Sequence, residues 1–355
     1  MRSIEQLDKN FAPTEVSDGQ HWHDIRSLEI EGRGWDDTAG VFDRLPARAK
    51  GTVRDVLWDL SQHSAGICAR FVTDATTLSA RWTLRFSTLA MDHMPATGVS
   101  GLDLYARHKG EWIWTGTGRA KEFPSNTVML ADQLTKSRRE FLLYLPLYNG
   151  VESVSIGLPP DARLFPVPRR TGNARKGVVF YGTSIVQGGC ASRAGMGYPE
   201  IIGRTLNCRT INLGFSGNGW MDLEIAHLLG ELNPAAYVID CIPNMTADNV
   251  NERAEVFIRT LRKARPKTPI LLVEAARSQR AMWQVPHVSA YAAANAALAE
   301  CHRRMVKSGV RQLFYLRGEK LLGNDNLGTV DGVHPTDLGF TRIAAAVGRA
   351  VGKLL

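Results

Sequence analysis

The sequence predicts an α/β protein in which a five-stranded parallel sheet, covered by helices on both faces, follows an antiparallel β-sandwich. Three observations predict this fold class. Polar and apolar residues alternate in the first half of the chain, apolar runs alternate with helical stretches in the second half, and a proline-rich segment lies between them. A chain of 355 residues with 44% hydrophobic and 22% charged side chains is long enough for two domains. We place them at 1–172 and 173–355.

Short runs of period two dominate the first domain. Leu78, Ala80 and Trp82 alternate with polar residues, as expected for a strand that has one face in water. Further runs of this kind lie at 102–107, 111–114, 141–147 and 151–158. Because these runs are short and few helical stretches intervene, we expect an antiparallel sandwich that resembles a jelly roll.

Apolar runs and helical stretches take turns in the second domain. Strands are expected at 178–181, 210–213, 237–241, 270–273 and 313–316. Helices are expected near 198–206, 221–232, 249–264, 288–308 and 336–353. Apolar strands joined by helices form parallel sheets that are buried on both faces. Ligands bind beyond the carboxyl ends of such strands, so chemistry is expected in the residues that follow each strand.

Three of these strand ends carry residues suited to catalysis. Ser184 lies in the turn after the first strand, a glycine-rich loop at 214–219 follows the second, and Asn244 follows the third. A serine in a tight turn suits a nucleophile, and glycines let backbone N–H groups approach a ligand. Each feature also has a purely structural interpretation: a turn-capping serine, an ordinary flexible turn and a capping asparagine.

An Asp-x-x-His spacing stands before the last helix, formed by Asp331 and His334. Together with the three strand ends, this pair supplies the parts of an acyl-transfer site. Ser184 is the nucleophile, His334 is the base that takes its proton, and Asp331 is the carboxylate that orients the imidazole. The backbone N–H groups of Ser184 and Gly217 and the side-chain amide of Asn244 are expected to face the developing oxyanion.

These residues resemble the sequence blocks of the SGNH (GDSL-type) hydrolases. Gly182-Thr183-Ser184-Ile185 is similar to the nucleophile block and Asn212-Leu213-Gly214-Phe215-Ser216-Gly217 to the glycine block, while Asn244, Asp331 and His334 fall at the remaining positions. The resemblance covers about 175–355. It implies a flavodoxin-like, three-layer α/β/α fold and serine ester hydrolysis with no metal and no cofactor.

Two departures from the family pattern are visible. The acid that usually precedes the nucleophile is Thr183 here, which leaves the hydrogen bonding of the turn open. The asparagine block reads Pro-Asn-Met at 243–245 instead of the commoner Gly-x-Asn-Asp. Since neither position supplies the carboxylate of the triad, the implied mechanism is retained.

The first domain is similar to the β-sandwich (GxDLY-type) that precedes a subset of these hydrolases. The similarity rests on Gly101-Leu102-Asp103-Leu104-Tyr105 and Leu145-Pro146-Leu147-Tyr148-Asn149-Gly150. Members of the subset resemble small-ester esterases or acyltransferases that act on sugars and natural products, and their sandwich resembles carbohydrate-binding modules. Two roles are open for it: to lean over the active site, or to dock without touching substrate. Trp112 and Trp114 are interpreted either as core residues or as a platform for a sugar.

Five further residues are predicted to shape the acyl or alcohol pocket. They follow the second, third and fourth strands of the parallel sheet: Trp220, Met245, Arg277, Arg280 and Trp283. For the two arginines, a solvated loop is an equally good interpretation.

Charge and cysteine content restrict the partners. The net charge of +8 belongs wholly to 173–355, but the basic residues are dispersed and no nucleic-acid-binding motif accompanies them. We therefore interpret the charge as a modest field around an esterase site and expect a small-molecule ester, such as an acylated sugar, as the partner.

The five cysteines lack metal-ligand spacing, so no metal is expected. Neither a signal peptide nor a membrane-spanning run is visible, so a cytoplasmic location is expected.

Three functions remain open at this point. The first is a serine carboxylesterase that removes a short acyl group, such as acetyl, from a carbohydrate or other small polyol. The second is an acyltransferase with the same triad, in which an acceptor alcohol outcompetes water. The third is a non-catalytic glycan-binding protein that uses the sandwich.

Overall fold

The computed structural model describes Leu7, residues 19–283 and residues 285–355. The prediction that no signal peptide is present rests on N-terminal residues that, apart from Leu7, lie outside this range. Within the part of the chain that is described, no helix combines the length and the apolar character needed to cross a membrane.

An antiparallel β-sandwich occupies most of the first half, as predicted. Its strands are β1 (His21–Asp24), β2 (Glu29–Glu31), β3 (Cys68–Thr73), β4 (Leu78–Leu84), β5 (Leu102–His108), β6 (Glu111–Gly118), β7 (Ser125–Ala131), β8 (Arg139–Tyr144), β9 (Val151–Leu158) and β10 (Leu164–Phe165). One sheet has the order β1-β9-β4-β7, and the other has the order β10-β3-β8-β5-β6 with β2 beside β3. Trp82, Phe71 and Phe141 are buried in the core of the sandwich, where the two phenylalanine rings stack 5.4 Å apart.

A five-stranded parallel sheet forms the second half and confirms the predicted fold class. Its strands are β11 (Val178–Gly182), β12 (Thr210–Gly214), β13 (Ala236–Asp240), β14 (Ile270–Val273) and β15 (Leu313–Leu316). Their spatial order is β12-β11-β13-β14-β15, which is the doubly wound order of flavodoxin-like folds. The order reverses between β11 and β13, so a binding crevice is expected beyond the carboxyl ends of these two strands.

Helices cover both faces of this sheet. The helices of the described residues are α1 (Asp55–Ser61), α2 (Ala96–Val99), α3 (Gly172–Lys176), α4 (Ser184–Gln187), α5 (Tyr198–Thr205), α6 (Leu223–Glu231), α7 (Ala247–Ala264), α8 (Val285–Lys307) and α9 (Asp337–Gly352). Helices α6, α7 and α8 pack side by side on one face, and α5 and α9 pack together on the other. The layers are therefore α/β/α.

The first half also contributes to the cores of the second. Trp35, Leu45 and Leu57 are buried in the same cluster as α6 and α7, whereas Tyr105 and Tyr144 belong to the cluster beneath α5 and α9. The domain boundary near residue 172 stays a prediction, but the two halves pack against each other through buried apolar side chains. Such shared cores make the relative position of the halves part of the fold.

Part of the positive charge lies at the amino ends of the parallel strands. Arg33, Arg175, Lys176 and Arg209 line a groove of about 540 Å³, with Asp36 among them. Lys176 stands just before β11 and Arg209 just before β12, at the sheet edge opposite to Ser184. The charge of the second half is thus not gathered around the predicted site alone.

Candidate active site

The turn after β11 exposes the predicted nucleophile at the start of a helix. Thr183 caps α4, since its Oγ1 accepts a hydrogen bond from the N–H of Ile185 at 3.3 Å. Threonine can cap a helix as a carboxylate does, so this departure from the family pattern leaves the turn closed. Ser184 is the first residue of α4, and its N–H has no acceptor among the described residues.

Ser184, His334 and Asp331 form a chain of hydrogen bonds across the carboxyl edge of the sheet. The Oγ of Ser184 lies 2.9 Å from Nε2 of His334, and Nδ1 of His334 lies 2.7 Å from Oδ2 of Asp331. A carboxylate at Nδ1 selects the tautomer that carries its proton there, which leaves Nε2 free to accept the serine proton. Serine and histidine are 150 residues apart in sequence, so the fold alone brings them together.

The turn around Asp331 keeps its carboxylate ionised. Its Oδ1 accepts hydrogen bonds from the backbone N–H groups of Val333 at 2.9 Å and His334 at 2.8 Å, while its Oδ2 faces the imidazole. Burial acts to raise the pKa of Asp331, but the bonds from the side chain of His334 and from these two N–H groups outweigh it and lower the pKa to about 2. Because Asp331 and His334 are three residues apart, a single turn of the chain orients both the carboxylate and the imidazole.

The glycine loop after β12 lies against the nucleophile helix. A Cβ on Gly214 would lie 2.1 Å from the backbone nitrogen of Gln187, so only glycine fits there. Gly217 has a φ of 69° and its N–H has no acceptor among the described residues. The Oδ1 of Asn244 accepts from the N–H of Gly219 at 3.3 Å, which leaves its Nδ2 as a donor. The assignment of Ser184, Gly217 and Asn244 to an oxyanion hole stays a prediction.

A very small cavity is lined by chain neighbours of several of these groups. It measures about 10 Å³, and its lining includes Ile185, Pro243, Arg277, Tyr291 and Val333. Ile185, Pro243 and Val333 are the chain neighbours of the predicted nucleophile, oxyanion donor and base. Arg280 is exposed, and its side chain packs on Gly332 in the turn between Asp331 and His334. A Cβ on Gly332 would lie 2.4 Å from the Cγ of Arg280.

The other predicted pocket residues lie in different surroundings. Trp220 donates from Nε1 to the carbonyl oxygen of Gly217 at 2.9 Å and so packs on the glycine loop. Met245 is buried in the core cluster beneath α6 and α7, and Trp283 is 80% exposed. Contact of any of these side chains with substrate stays a prediction.

Arg44, from the first half of the chain, supports the glycine loop from below. Its buried guanidinium donates to the carbonyl oxygens of Gly214 at 2.5 Å, Leu60 at 2.6 Å and His63 at 2.8 Å, and it lies 4.9 Å from the ring centre of Phe215. Burial lowers the pKa of Arg44 to about 9. The sequence offered no signal for this contact, because it joins residues about 170 positions apart.

Arg54 supports the outer part of the same loop. It donates to the side-chain Oδ1 of Asn218 at 2.6 Å and to its carbonyl oxygen at 3.0 Å, and it forms an ion pair with Asp222 at 3.1 Å. Its guanidinium also lies 4.0 Å from the ring centre of Trp220. Two cations of the first half therefore hold the loop that carries Gly217.

A histidine of the first half lies beside the triad, which sequence reasoning missed. The rings of His93 and His334 meet edge to face with centroids 5.8 Å apart. Cys190, three residues after the end of α4, is buried beside them and has a left-handed φ of 72°. Burial raises the pKa of the Cys190 thiol to about 12, so the thiol is neutral near pH 7.

The two tryptophans of β6 do not share one environment. Trp112 is half-buried, and its Nε1 lies 3.4 Å from Oδ1 of Asn207. Trp114 is 51% exposed, bonds to Asp103 at 3.1 Å, and has the guanidinium of Arg193 5.1 Å from its ring centre. The interpretation of Trp114 as a core residue is therefore wrong.

Comparison with known families covers nearly the whole chain. Residues 175–352 match the model of the GDSL-like lipase/acylhydrolase family, and residues 20–164 match the model of the N-terminal GxDLY domain of SGNH hydrolase-type esterases. No curated protein sequence matches the chain.

The solved structures that are similar in fold include the following three. A GDSL-like lipase from Bacteroides ovatus is 31% identical, with 95% of this chain and 98% of that chain covered at a TM-score of 0.88. The salicylyl-acyltransferase SsfX3 from a tetracycline biosynthetic pathway is 16% identical, with 96% of this chain and 98% of that chain covered at a TM-score of 0.74. A family two carbohydrate esterase from Clostridium thermocellum, in complex with cellohexaose, is 14% identical, with 81% of this chain and 92% of that chain covered at a TM-score of 0.58.

Proposed function

The chain belongs to the GDSL-like lipase/acylhydrolase family, and from that premise we propose that it is a serine carboxylesterase that removes a short acyl group from a sugar or other small polyol. The observation that carries the proposal is the hydrogen-bonded chain from Ser184 through His334 to Asp331. In this arrangement, the serine, the histidine and the aspartate supply the nucleophile, the base and the orienting carboxylate that acyl transfer to and from a serine requires.

The reaction proceeds through an acyl-enzyme. Nε2 of His334 takes the proton of Ser184 as its Oγ attacks the ester carbonyl, and the carbonyl oxygen becomes an oxyanion that accepts from the N–H groups of Ser184 and Gly217 and from Nδ2 of Asn244. The imidazolium then gives its proton to the departing alkoxide. Water repeats the sequence on the acyl-serine, releasing the carboxylic acid and restoring the serine.

The small cavity supports a short acyl group. A space of about 10 Å³ lies beside Ile185 and Val333, and its size agrees with a group as small as the methyl of an acetyl ester. On the other side, His334 and Asp331 keep 25% and 31% of their side chains exposed, so a bulky, hydrated alcohol can approach the triad. The similarity in fold to a carbohydrate esterase agrees with a sugar as that alcohol.

The test is hydrolysis of p-nitrophenyl esters of increasing chain length by the wild type and by Ser184→Ala. We expect the acetyl ester to be the best substrate and Ser184→Ala to lose activity by about 10⁴-fold or more. Ser192→Ala is the matched control, because that hydroxyl bonds to Asp337 and not to the histidine. Retained turnover in Ser184→Ala would refute the triad, and a preference for long chains would refute the acyl assignment.

The same panel separates hydrolysis from acyl transfer. An activated acetyl donor is supplied with and without a sugar acceptor, and both acetate and acetylated sugar are measured. Acetate as the dominant product in both cases supports the esterase. Acetylated sugar with little acetate would instead assign the protein as an acyltransferase.

A further inference from the structure

The mouth of the proposed active site holds three metal-ligating side chains from three separate segments of the chain. One nitrogen of His93, the Sγ of Cys190 and one nitrogen of His334 all lie within 4.8 Å of one another. We propose that these three residues bind Zn²⁺, and that the bound ion inhibits the enzyme by occupying its general base.

The chemistry of the three donors favours Zn²⁺ over hard cations. Two imidazoles and one thiolate form a borderline-soft set, which suits Zn²⁺ with bonds of about 2.0–2.1 Å to nitrogen and about 2.3 Å to sulfur. Ligand atoms around a tetrahedral ion of this size stand about 3.4 Å apart, so each pair of donors, now within 4.8 Å, must close by at most about 1.4 Å. His93 is exposed and can rotate toward the buried Cys190 and the partly exposed His334.

His334 is already prepared as a metal ligand. Its Nδ1 is engaged by Asp331 at 2.7 Å, so Nε2 is the nitrogen that presents a lone pair. Carboxylate, imidazole and metal in this order is the usual arrangement around protein-bound Zn²⁺, because the carboxylate fixes the ring and increases its basicity. The feature that makes His334 a base toward Ser184 therefore also makes it a zinc ligand.

Binding and catalysis exclude each other at one atom. Zn²⁺ on Nε2 breaks the hydrogen bond of 2.9 Å to Oγ of Ser184, and the lone pair that would accept the serine proton is consumed. The Cys190 thiol gives its proton to the buffer when the sulfur binds, and the fourth position is left for a water. The ion acts here as an inhibitor and takes no part in the reaction.

Binding is measured apart from activity. Titration of the full chain with Co²⁺ is expected to produce a thiolate-to-metal absorption band that saturates at one Co²⁺ per chain. Zn²⁺ is expected to remove the band by displacing the Co²⁺. The band is expected to persist in Ser184→Ala and to disappear in Cys190→Ser. His93→Ala is expected to weaken Zn²⁺ binding more than about tenfold. His108→Ala and Cys208→Ser serve as matched controls, since the first is an exposed sandwich histidine and the second a buried thiol outside the cluster.

Inhibition, unlike binding, presupposes the proposed esterase activity. Stoichiometric Zn²⁺ is expected to reduce acetyl ester hydrolysis at least tenfold in the wild type and in both controls, and to leave Cys190→Ser and His93→Ala active. Absence of the thiolate band, or equal inhibition of all variants, would overturn the zinc site while the esterase stands. A persistent band in a protein that shows no ester hydrolysis would retain the site and reject the proposed function.

Discussion

The two halves of the chain contribute to the site in different ways. Every group assigned to bond making comes from the loops at the carboxyl edge of the parallel sheet, in the second half. The first half contributes Arg44 and Arg54, which hold the glycine loop in place, and His93 at the edge of the triad. The reacting groups thus come from one half, and the other half, packed into the cores of the sheet domain, adds contacts that support one of their loops.

The largest expected effect lies within the sheet half. Asp331→Asn is expected to lower kcat about 10³- to 10⁴-fold, because the amide presents a donor to Nδ1 and favours the wrong imidazole tautomer. The unfolding midpoint in urea is the control for folding. A loss of less than tenfold would show that Asp331 is not the orienting carboxylate.

A second prediction tests whether the first half supports the fold of the site. Arg44→Met is expected to lower the free energy of unfolding by about 2–4 kcal/mol, because the carbonyl oxygens of Gly214, Leu60 and His63 lose a buried donor. Urea denaturation measures the loss. Arg48→Met is the comparison, since that arginine is exposed and its ion pairs contribute little. Equal stability of the two variants would mean that Arg44 does not hold the loop.

A third prediction concerns an acid buried where the halves meet. Glu200 accepts a hydrogen bond from Nδ2 of Asn212 at 2.8 Å beneath Gly66, and burial raises its pKa from the usual 4.5 to about 7. The folded state therefore binds more protons than the unfolded state between these two values. Stability from this group is present below about pH 4.5, falls as the pH rises toward 7, and stays low above that.

Glu200→Gln should remove this dependence while keeping an acceptor for Asn212. We expect the variant to gain about 1–3 kcal/mol relative to the wild type between about pH 5 and pH 8, as measured by urea unfolding at both values. An unchanged difference between variant and wild type across this range would mean that Glu200 is already ionised in the folded protein.

The sequence predicted the parts of the molecule that repeat a local pattern. The strands of the parallel sheet and the Asp331 turn are local, and each was visible in its own segment. Strand β3 was missed because all its residues are buried, so it has no alternation of polar and apolar side chains. The contacts of Arg44 and His93 were missed for another reason: they join distant segments, and an arginine or histidine in a loop looks the same whether or not the fold buries it.

The smallest expected effect comes from the outer contact of the first half with the glycine loop. Arg54→Gln keeps a donor for Asn218 but loses the ion pair with the buried Asp222 and the stacking on Trp220. We expect kcat to fall about tenfold, with KM nearly unchanged, because a less rigid loop weakens the oxyanion donors more than it weakens substrate binding. Arg253→Gln removes the other cation of Asp222 without touching Asn218 and is the matched control. Equal losses of kcat in both variants would show that the charge of Asp222 matters and not the position of the loop. If only KM changes, Arg54 acts on substrate binding. The first half then does more than support the loop at this residue.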